Sequence, residues 1–251
     1  MLGRFLEVSI HAPDVAASLA FYESLGFVQL PVGDTWKHAY GVVSDGRIVL
    51  GLHAYPFDSP ALTFVRPGLA AHAPRLRELG VELEFAKLGD EQFHEMGFKD
   101  PDGQMVTLLE ARTHSPVGEA AARGDSQLGH FAEVCLPVAD LRRSRAFWEA
   151  LGGVSFVDTS GRLPRTAVLV SGLALGLYEL PFAAPALCFT DSAHEDRLER
   201  LRAAGLAVEA RLTRGLDARD ATLLRAPEGT LHLLMRCLGE AAVGEIEVEE
   251  G

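Results

Sequence analysis

The sequence predicts an α+β protein made of four βαβββ modules, whose curved mixed sheets enclose a cleft in each half of the chain. The first observation is a long duplication: residues 7–27 (EVSIHAPDVAASLAFYESLGF) are similar to residues 133–153 (EVCLPVADLRRSRAFWEALGG). The second is a turn and strand, FKDPDGQMVTLLEA at 98–111, which recurs as LRAPEGTLHLLMRC at 224–237. Self-similarity of this length indicates that the same supersecondary unit is built twice.

A finer repeat divides each half again. A strand followed by a helix that ends in Leu-Gly or Ala-Gly is indicated at 5–26 and 61–80, and again at 131–152 and 186–205. Short strand-like segments separated by turns follow each helix. With one helix per quarter, each helix covers one face of a sheet, and the opposite faces of two quarters curve around a shared cleft.

Local signals justify the elements in chain order. EVSIHA (7–12) alternates polar and apolar residues, which is the period of a half-buried strand. Asp14 is a typical helix N-cap, and Gly26 supplies the backbone conformation that ends a helix. Gly103 and Gly229 suit the positive-φ position of a turn, so the recurring turn requires no catalytic explanation.

The repeat also predicts the domain organisation. The expected units are a first domain at 1–112, a linker at 113–127 rich in small and polar residues, and a second domain at 128–238. The last segment, 239–251, is predicted to be an acidic tail. Two such halves permit either a monomer or a homodimer.

Composition excludes several classes of function. The 251 residues are 48% hydrophobic and 23% charged, which is typical of a folded protein. A formal charge of −12 repels polyanions, so no nucleic acid partner is expected. No secretory signal and no membrane span are visible. Cys135, Cys188 and Cys237 lack metal-site spacing, which favours buried thiols and a cytoplasmic location.

Particular residues resemble a known family. Its signature is a Glu or His on a first strand, an Asp seven positions later, an FYxxLGF segment and a DPDG turn. The matching residues are Glu7, Asp14, 21–27 and 100–103, then Glu133, Asp140, 147–153 and the weaker APEG at 226–229. On these residues the chain resembles the vicinal-oxygen-chelate (VOC) superfamily, which includes glyoxalase I, extradiol dioxygenases, fosfomycin-resistance proteins and bleomycin-resistance proteins.

The resemblance implies where a metal would bind. Enzymes of this superfamily hold a divalent ion with His and Glu from the first and last strands of paired modules. The corresponding positions are Glu7, Gly51, Ala61 and Thr107 in the first half, and Glu133, Gly176, Ala186 and Leu233 in the second. One carboxylate per half cannot hold a catalytic ion, so the expectation is no metal and no cofactor. An alternative is a rearranged site made by Glu7, His11 and His53.

The candidate ligand-binding residues are those expected to face the clefts. The first strands contribute polar side chains, His53 and its counterpart Tyr178 contribute ring-bearing polar groups, and several aromatic residues are plausible walls. The candidates are Glu7, Ser9, His11, Trp36, His38, His53, Tyr55, Phe93, Thr107, Glu133 and Tyr178. Cys135 also faces a cleft and is interpreted as a buried thiol.

Three functions stay open at this point. The favoured one is a glyoxalase/bleomycin-resistance-like protein that binds a small apolar or aromatic molecule in a cleft without a catalytic metal. The second is a divalent-metal-dependent lyase or dioxygenase with a rearranged site. The third is a non-catalytic interaction protein whose clefts are vestigial. Fold alone does not decide among them, because one fold hosts many chemistries.

Overall fold

The computed structural model describes residues 1–32, 37–111, 126–158, 165–179, 184–209 and 221–236. These residues form four copies of one unit, in which a strand and a helix precede three strands. The first half comprises β1 (Arg4–His11), α1 (Val15–Ser24), β2 (Val28–Leu30), β3 (Tyr40–Ser44), β4 (Val49–His53), β5 (Ala61–Arg66), α2 (Leu69–Glu78), β6 (Leu83–Lys87), β7 (Glu95–Lys99) and β8 (Met105–Glu110). The second half comprises β9 (His130–Pro137), α3 (Leu141–Ala150), β10 (Val154–Asp158), β11 (Arg165–Val170), β12 (Leu173–Tyr178), β13 (Ala186–Asp191), α4 (His194–Ala203), β14 (Val208–Glu209), β15 (Ala221–Arg225) and β16 (Leu231–Arg236).

The strands form two mixed sheets of eight strands each, one per half. The first has the order β2-β3-β4-β1-β5-β8-β7-β6, and the second repeats it as β10-β11-β12-β9-β13-β16-β15-β14. In each sheet the first strand pairs parallel with the fourth and antiparallel with the fifth, as β1 does with β4 and β5. Both sheets are curved and neither closes into a barrel. The predicted fold class is confirmed.

The helix ends follow the local signals in the sequence. Asp14 Oδ1 accepts the N–H of Ala17 at 3.0 Å, which caps the start of α1. Asp140 is the equivalent cap of α3 and accepts from two N–H groups of the first turn. Gly26 and Gly152 follow these helices with φ of 87° and 94°, the left-handed conformation that ends a helix most easily in glycine.

One hydrophobic core extends through both halves. Val8 and Ile10 of β1 alternate with Glu7 and Ser9 along the strand and are buried, as are Val134 and Leu136 of β9. All four belong to a single cluster of buried apolar residues. The halves therefore pack against each other within one chain.

Hydrogen bonds between the halves are reciprocal. Ser18 on α1 donates to Glu228 in the second half at 2.7 Å, and Tyr22 donates to the same carboxylate at 2.9 Å. Ser144 on α3 donates to Asp102 in the first half. Ser144 follows Ser18 by 126 residues (144 − 18), and Glu228 follows Asp102 by 126 (228 − 102). Asp102 and Glu228 lie in the turns at 100–103 and 226–229, which contain Gly103 and Gly229 and are called the glycine turns below. The glycine turn of each half therefore binds the helix of the other half.

The predicted linker and tail fall mainly outside the described residues. Of the linker, only 126 and 127 are described, and Gln127 N–H donates to the Leu25 carbonyl at 2.7 Å, just after α1. The predicted domain boundaries stay predictions. In the described part of the chain, every helix is too short or too polar to span a lipid bilayer.

His232 is buried where the two halves meet. Its imidazole is fully enclosed, and the rings of Phe21, Tyr22 and Phe189 have their centres 5.6–6.1 Å from it. Burial disfavours the charged imidazolium and lowers the pKa of His232 to about 4.

The first prediction concerns acid stability. The unfolded chain binds a proton at His232 near pH 6.5 and the folded chain only near pH 4, so stability is lost as pH falls between these values. By linkage, this residue accounts for about 2 kcal/mol of lost stability between pH 7 and pH 5. Urea unfolding of His232→Leu at both pH values should show a correspondingly smaller loss than the wild type. Equal losses would contradict the assignment.

Candidate functional site

The first-half site is built around a buried carboxylate. Glu7, on β1, is 3% exposed. Its oxygens accept from Ser9 Oγ at 2.8 Å and from Tyr40 OH at 2.9 Å. Ser9 Oγ also lies 2.7 Å from Thr63 Oγ1 on the neighbouring strand β5. Burial and the Glu7 charge raise the pKa of Tyr40, so its hydroxyl stays protonated and remains a donor.

Two histidines extend this network toward the surface. His53 Nε2 lies 3.1 Å from Glu7 Oε1, and His53 Nδ1 lies 3.1 Å from His38 Nε2. Because the carboxylate accepts, we assign the His53 Nε2–H as its donor, which makes His53 Nδ1 the acceptor of the His38 Nε2–H. Burial and the neighbouring His53 lower the pKa of His38, which favours its neutral form.

Aromatic rings surround the histidines. The Tyr40 ring centre lies 4.4 Å from that of His53, and the Tyr55 ring lies 5.8 Å from that of His38. Phe57 meets His53 edge to face at 5.7 Å. The first-half site therefore combines a buried hydrogen-bonded chain with an apolar aromatic rim, which is typical of small-molecule pockets.

Strand register explains how these residues meet. Parallel pairing of β1 with β4 sets Ser9 beside Gly51 and His11 beside His53, while antiparallel pairing with β5 sets Glu7 beside Thr63. Gly51 is essential to this packing: a Cβ at that position would lie 2.1 Å from Glu7 Oε1. The missing side chain provides the space that the carboxylate occupies.

The second half repeats the geometry with other donors. Glu133 is 5% exposed and accepts from Arg165 Nη1 at 2.7 Å on both oxygens, and from Tyr178 OH at 2.5 Å. Gly176 again leaves room, because its Cβ would lie 2.3 Å from Glu133 Oε1. Arg165 thus stands where the first half has Tyr40, and Tyr178 where it has His53.

Two thiols complete the second-half site. Ligand atoms of Glu133, Cys135 and Cys188 all lie within 4.8 Å of one another, and all three residues are buried. The adjacent Cys188 thiol and burial together raise the pKa of Cys135. Two thiols with one carboxylate could hold a metal ion, and the soft sulfur donors favour Zn²⁺ or Cu⁺ over Mn²⁺. For a hard ion the set fits poorly, since Arg165 already holds both Glu133 oxygens.

The structure brings most of the predicted first-half residues together. Hydrogen bonds connect Glu7, Ser9, His53 and His38. The His53 ring reaches Glu7 from a position two residues beyond Gly51 on β4. The Tyr55 ring lies beside His38.

The other predicted residues are placed differently. His11 contacts Phe57 and lines the cavity at the junction of the two halves. Thr107, on β8, pairs with Thr63 on the adjacent strand β5. Phe93 lies half-exposed between β6 and β7. In the second half, Glu133 and Tyr178 are joined directly, and Trp36 lies outside the described residues.

Five contributors were missed in the sequence: Tyr40, Phe57, Thr63, Arg165 and Cys188. Arg165 follows Tyr40 by 125 residues (165 − 40), and Cys188 follows Thr63 by 125 (188 − 63). The strand–helix segments 61–80 and 186–205 are separated by the same offset of 125 (186 − 61), so the sequence itself pairs these positions. The family pattern assigned the ligand positions on β5 and β13 to Ala61 and Ala186. The residues paired with the glutamates are Thr63 and Cys188, two positions later on each strand.

Comparisons with known proteins identify the fold. No family model and no curated protein sequence matches the chain. Among solved structures, a catechol 2,3-dioxygenase matches with TM-score 0.55 and 15% identity, covering 94% of this chain and 87% of that one. An E323L mutant of homoprotocatechuate 2,3-dioxygenase from Brevibacterium fuscum gives 0.60 and 15%, covering 93% and 71%. The Mn(II)-bound glyoxalase from Novosphingobium aromaticivorans gives 0.54 and 13%, covering 94% and 82%.

These similarities show that the chain has the fold of the VOC superfamily, and the resemblance predicted from the sequence is confirmed at that level. Identities of 13–15% establish the fold alone.

The expectation of no metal and no cofactor is wrong. It rested on finding one possible ligand per half, whereas Glu133, Cys135 and Cys188 form a three-residue group of ligand type. A structure with the same fold is a Mn(II)-bound glyoxalase, and others are dioxygenases. The count failed because it assigned Ala186 to the strand position, and strand pairing instead sets Cys188 opposite Glu133.

The second prediction tests the packing of Gly51 against Glu7. Gly51→Ala should destabilise the protein by about 1–3 kcal/mol, because the new methyl group collides with the carboxylate. In a Glu7→Ala background the same change should cost much less. A double-mutant cycle of unfolding free energies measures this coupling. An equal cost in both backgrounds would show that the carboxylate is not the obstacle.

Proposed function

We propose that the chain is a glyoxalase/bleomycin-resistance-like protein whose first half binds a small apolar or aromatic molecule on its concave face. The observation that carries this proposal is the series of hydrogen bonds from Glu7 through His53 to His38, with aromatic rings beside it. A hydrogen-bonded polar chain next to apolar rings offers a ligand both orientation and buried area.

The depth of these residues supports a ligand site over a filled core. Glu7 and His53 are 3% and 7% exposed, whereas His38 is only partly buried and Tyr55 is 58% exposed. The polar chain thus leads from a closed interior to an open aromatic rim. A flat ligand would stack beside Tyr55, and a hydroxyl or carbonyl group on it would meet the outer histidine.

The third prediction tests this site. A panel of phenols and other small aromatic compounds is screened by thermal shift, and hits are measured by calorimetry. His38→Ala should weaken binding about tenfold, which corresponds to about 1.4 kcal/mol, and Tyr55→Ala should act similarly. Tyr178→Phe is the matched control in the second half and should leave the affinity unchanged.

Two outcomes would count against the proposal. If no compound of the panel binds, the first-half site is not a ligand pocket for this class. If Tyr178→Phe weakens binding while His38→Ala does not, the ligand occupies the second half.

A second candidate is a metal-dependent lyase or dioxygenase with a rearranged site in the second half. The observation that favours it is the group of Glu133, Cys135 and Cys188. These three residues would hold the ion, and a bound Zn²⁺ would supply Lewis-acid polarisation of a substrate oxygen. Two thiols and one carboxylate differ from the two-histidine, one-carboxylate set of iron oxygenases. Within this candidate, the ligand set therefore favours a lyase over a dioxygenase.

The fourth prediction concerns metal content. Protein kept reduced is incubated with Zn²⁺, Fe²⁺ or Mn²⁺, desalted and analysed by elemental mass spectrometry. If the second candidate holds, Zn²⁺ is retained near one equivalent, and the Cys135→Ser/Cys188→Ser variant loses it. Ser9→Ala/Thr63→Ala changes the equivalent first-half positions and should retain it. Less than about a tenth of an equivalent of every ion would rule out the second-half site.

A further inference from the structure

A cavity lies between the two halves, and Phe57 belongs both to its lining and to the first-half site. It has a volume of about 550 Å³ and is lined by the ends of β1 and β9 and by both glycine turns. His11 and Pro137 occupy equivalent positions on its two sides, as do Asp102 and Glu228. The volume falls in the range of small-molecule pockets, which often form where two domains meet.

We propose that this cavity binds an organic ammonium ion with an apolar or aromatic body. Three of its lining residues are carboxylates, Asp58, Asp102 and Glu228, and none of the described lining residues is Lys or Arg. Asp58 is ion-paired at 2.8 Å with Lys99, which does not line the cavity, so Asp102 and Glu228 contribute most of its negative charge. Charges of one sign in a concave site concentrate ions of the opposite sign, and the net charge of −12 acts in the same direction.

The carboxylates retain capacity to accept hydrogen bonds. Asp102 accepts the N–H of Ala139 on one oxygen and the hydroxyl of Ser144 on the other. Glu228 accepts Ser18 on one oxygen and Tyr22 on the other. Each oxygen has a second lone-pair site, so these contacts orient the carboxylates without saturating them.

Gln104 adds an acceptor of another kind. Its Nε2 donates to the carbonyls of Pro60 and Met105 at 2.7 and 2.9 Å, which fixes the orientation of the amide. Its Oε1 is buried and has no hydrogen-bond partner among the described residues, and the residue is 7% exposed. A buried acceptor without a donor is costly, and the N–H groups of an ammonium ligand would satisfy it.

The remaining walls are apolar. Phe57, Leu136 and Leu231 line the same cavity. They favour a ligand whose cationic end is attached to a hydrocarbon or aromatic body over a hydrated metal ion, which would gain nothing from these walls.

The fifth prediction uses 2-phenylethylamine as the probe, with the neutral 2-phenylethanol as its isostere. Calorimetry should show saturable binding of the amine and at least tenfold weaker binding of the alcohol. Equal binding of both would overturn the charge argument, and no binding of the amine would overturn the proposal.

Charge variants localise the site. Asp58 is largely exposed, so Asp58→Asn and Asp58→Lys should fold, and they should weaken amine binding about threefold and at least tenfold, respectively. Asp90→Lys is the matched control, since it changes the net charge equally at an exposed position that does not line the cavity. Equal weakening by Asp58→Lys and Asp90→Lys would show only a general charge effect and would refute the site.

Backbone NMR shifts separate this site from the first-half site. Amine-induced shifts should concentrate at residues 100–105 and 226–231, in the two turns that border the cavity. Shifts centred on Glu7 and His53 would instead place the amine in the first-half pocket and overturn the inference.

Discussion

The structure depends on how each half accommodates a buried carboxylate. Glu7 and Glu133 both lie on the central strands of their sheets with almost no exposed surface. An ionised carboxylate is tolerated in such a place only when donors surround it. Each half meets this demand with a glycine on the neighbouring strand for space, Gly51 or Gly176. Hydrogen bonds come from side chains on three strands in the first half and from Arg165 and Tyr178, on two strands, in the second.

The two halves satisfy the same constraint with different chemistry. The first uses hydroxyl groups and two histidines, which form a hydrogen-bonded series between the carboxylate and the rim. The second uses Arg165, which neutralises Glu133, and replaces the hydroxyls of Ser9 and Thr63 with thiols. The same backbone arrangement therefore surrounds its carboxylate with hydroxyls and imidazoles in one half and with a guanidinium, a phenol and two thiols in the other.

The sequence predicted the fold better than the site because the two depend on different information. Alternation in β1 and caps such as Asp14 are local, and the duplication confirms each signal by repeating it. The site depends on register between strands distant in the chain, which turns and bulges set. That is why Tyr40 and Cys188 were missed, whereas Glu7 could be named from its place on the first strand alone.

The junction of the halves follows from the same duplication. Because each glycine turn carries an acid, Asp102 or Glu228, and each helix carries a serine that binds it, the copies hold each other through equivalent contacts. Such reciprocal contacts are those that a two-fold dimer would make. They also direct two acidic turns toward one space. The contacts that join the halves therefore create an acceptor-rich cavity, and a donor-rich ligand bound there would stabilise the junction by linkage.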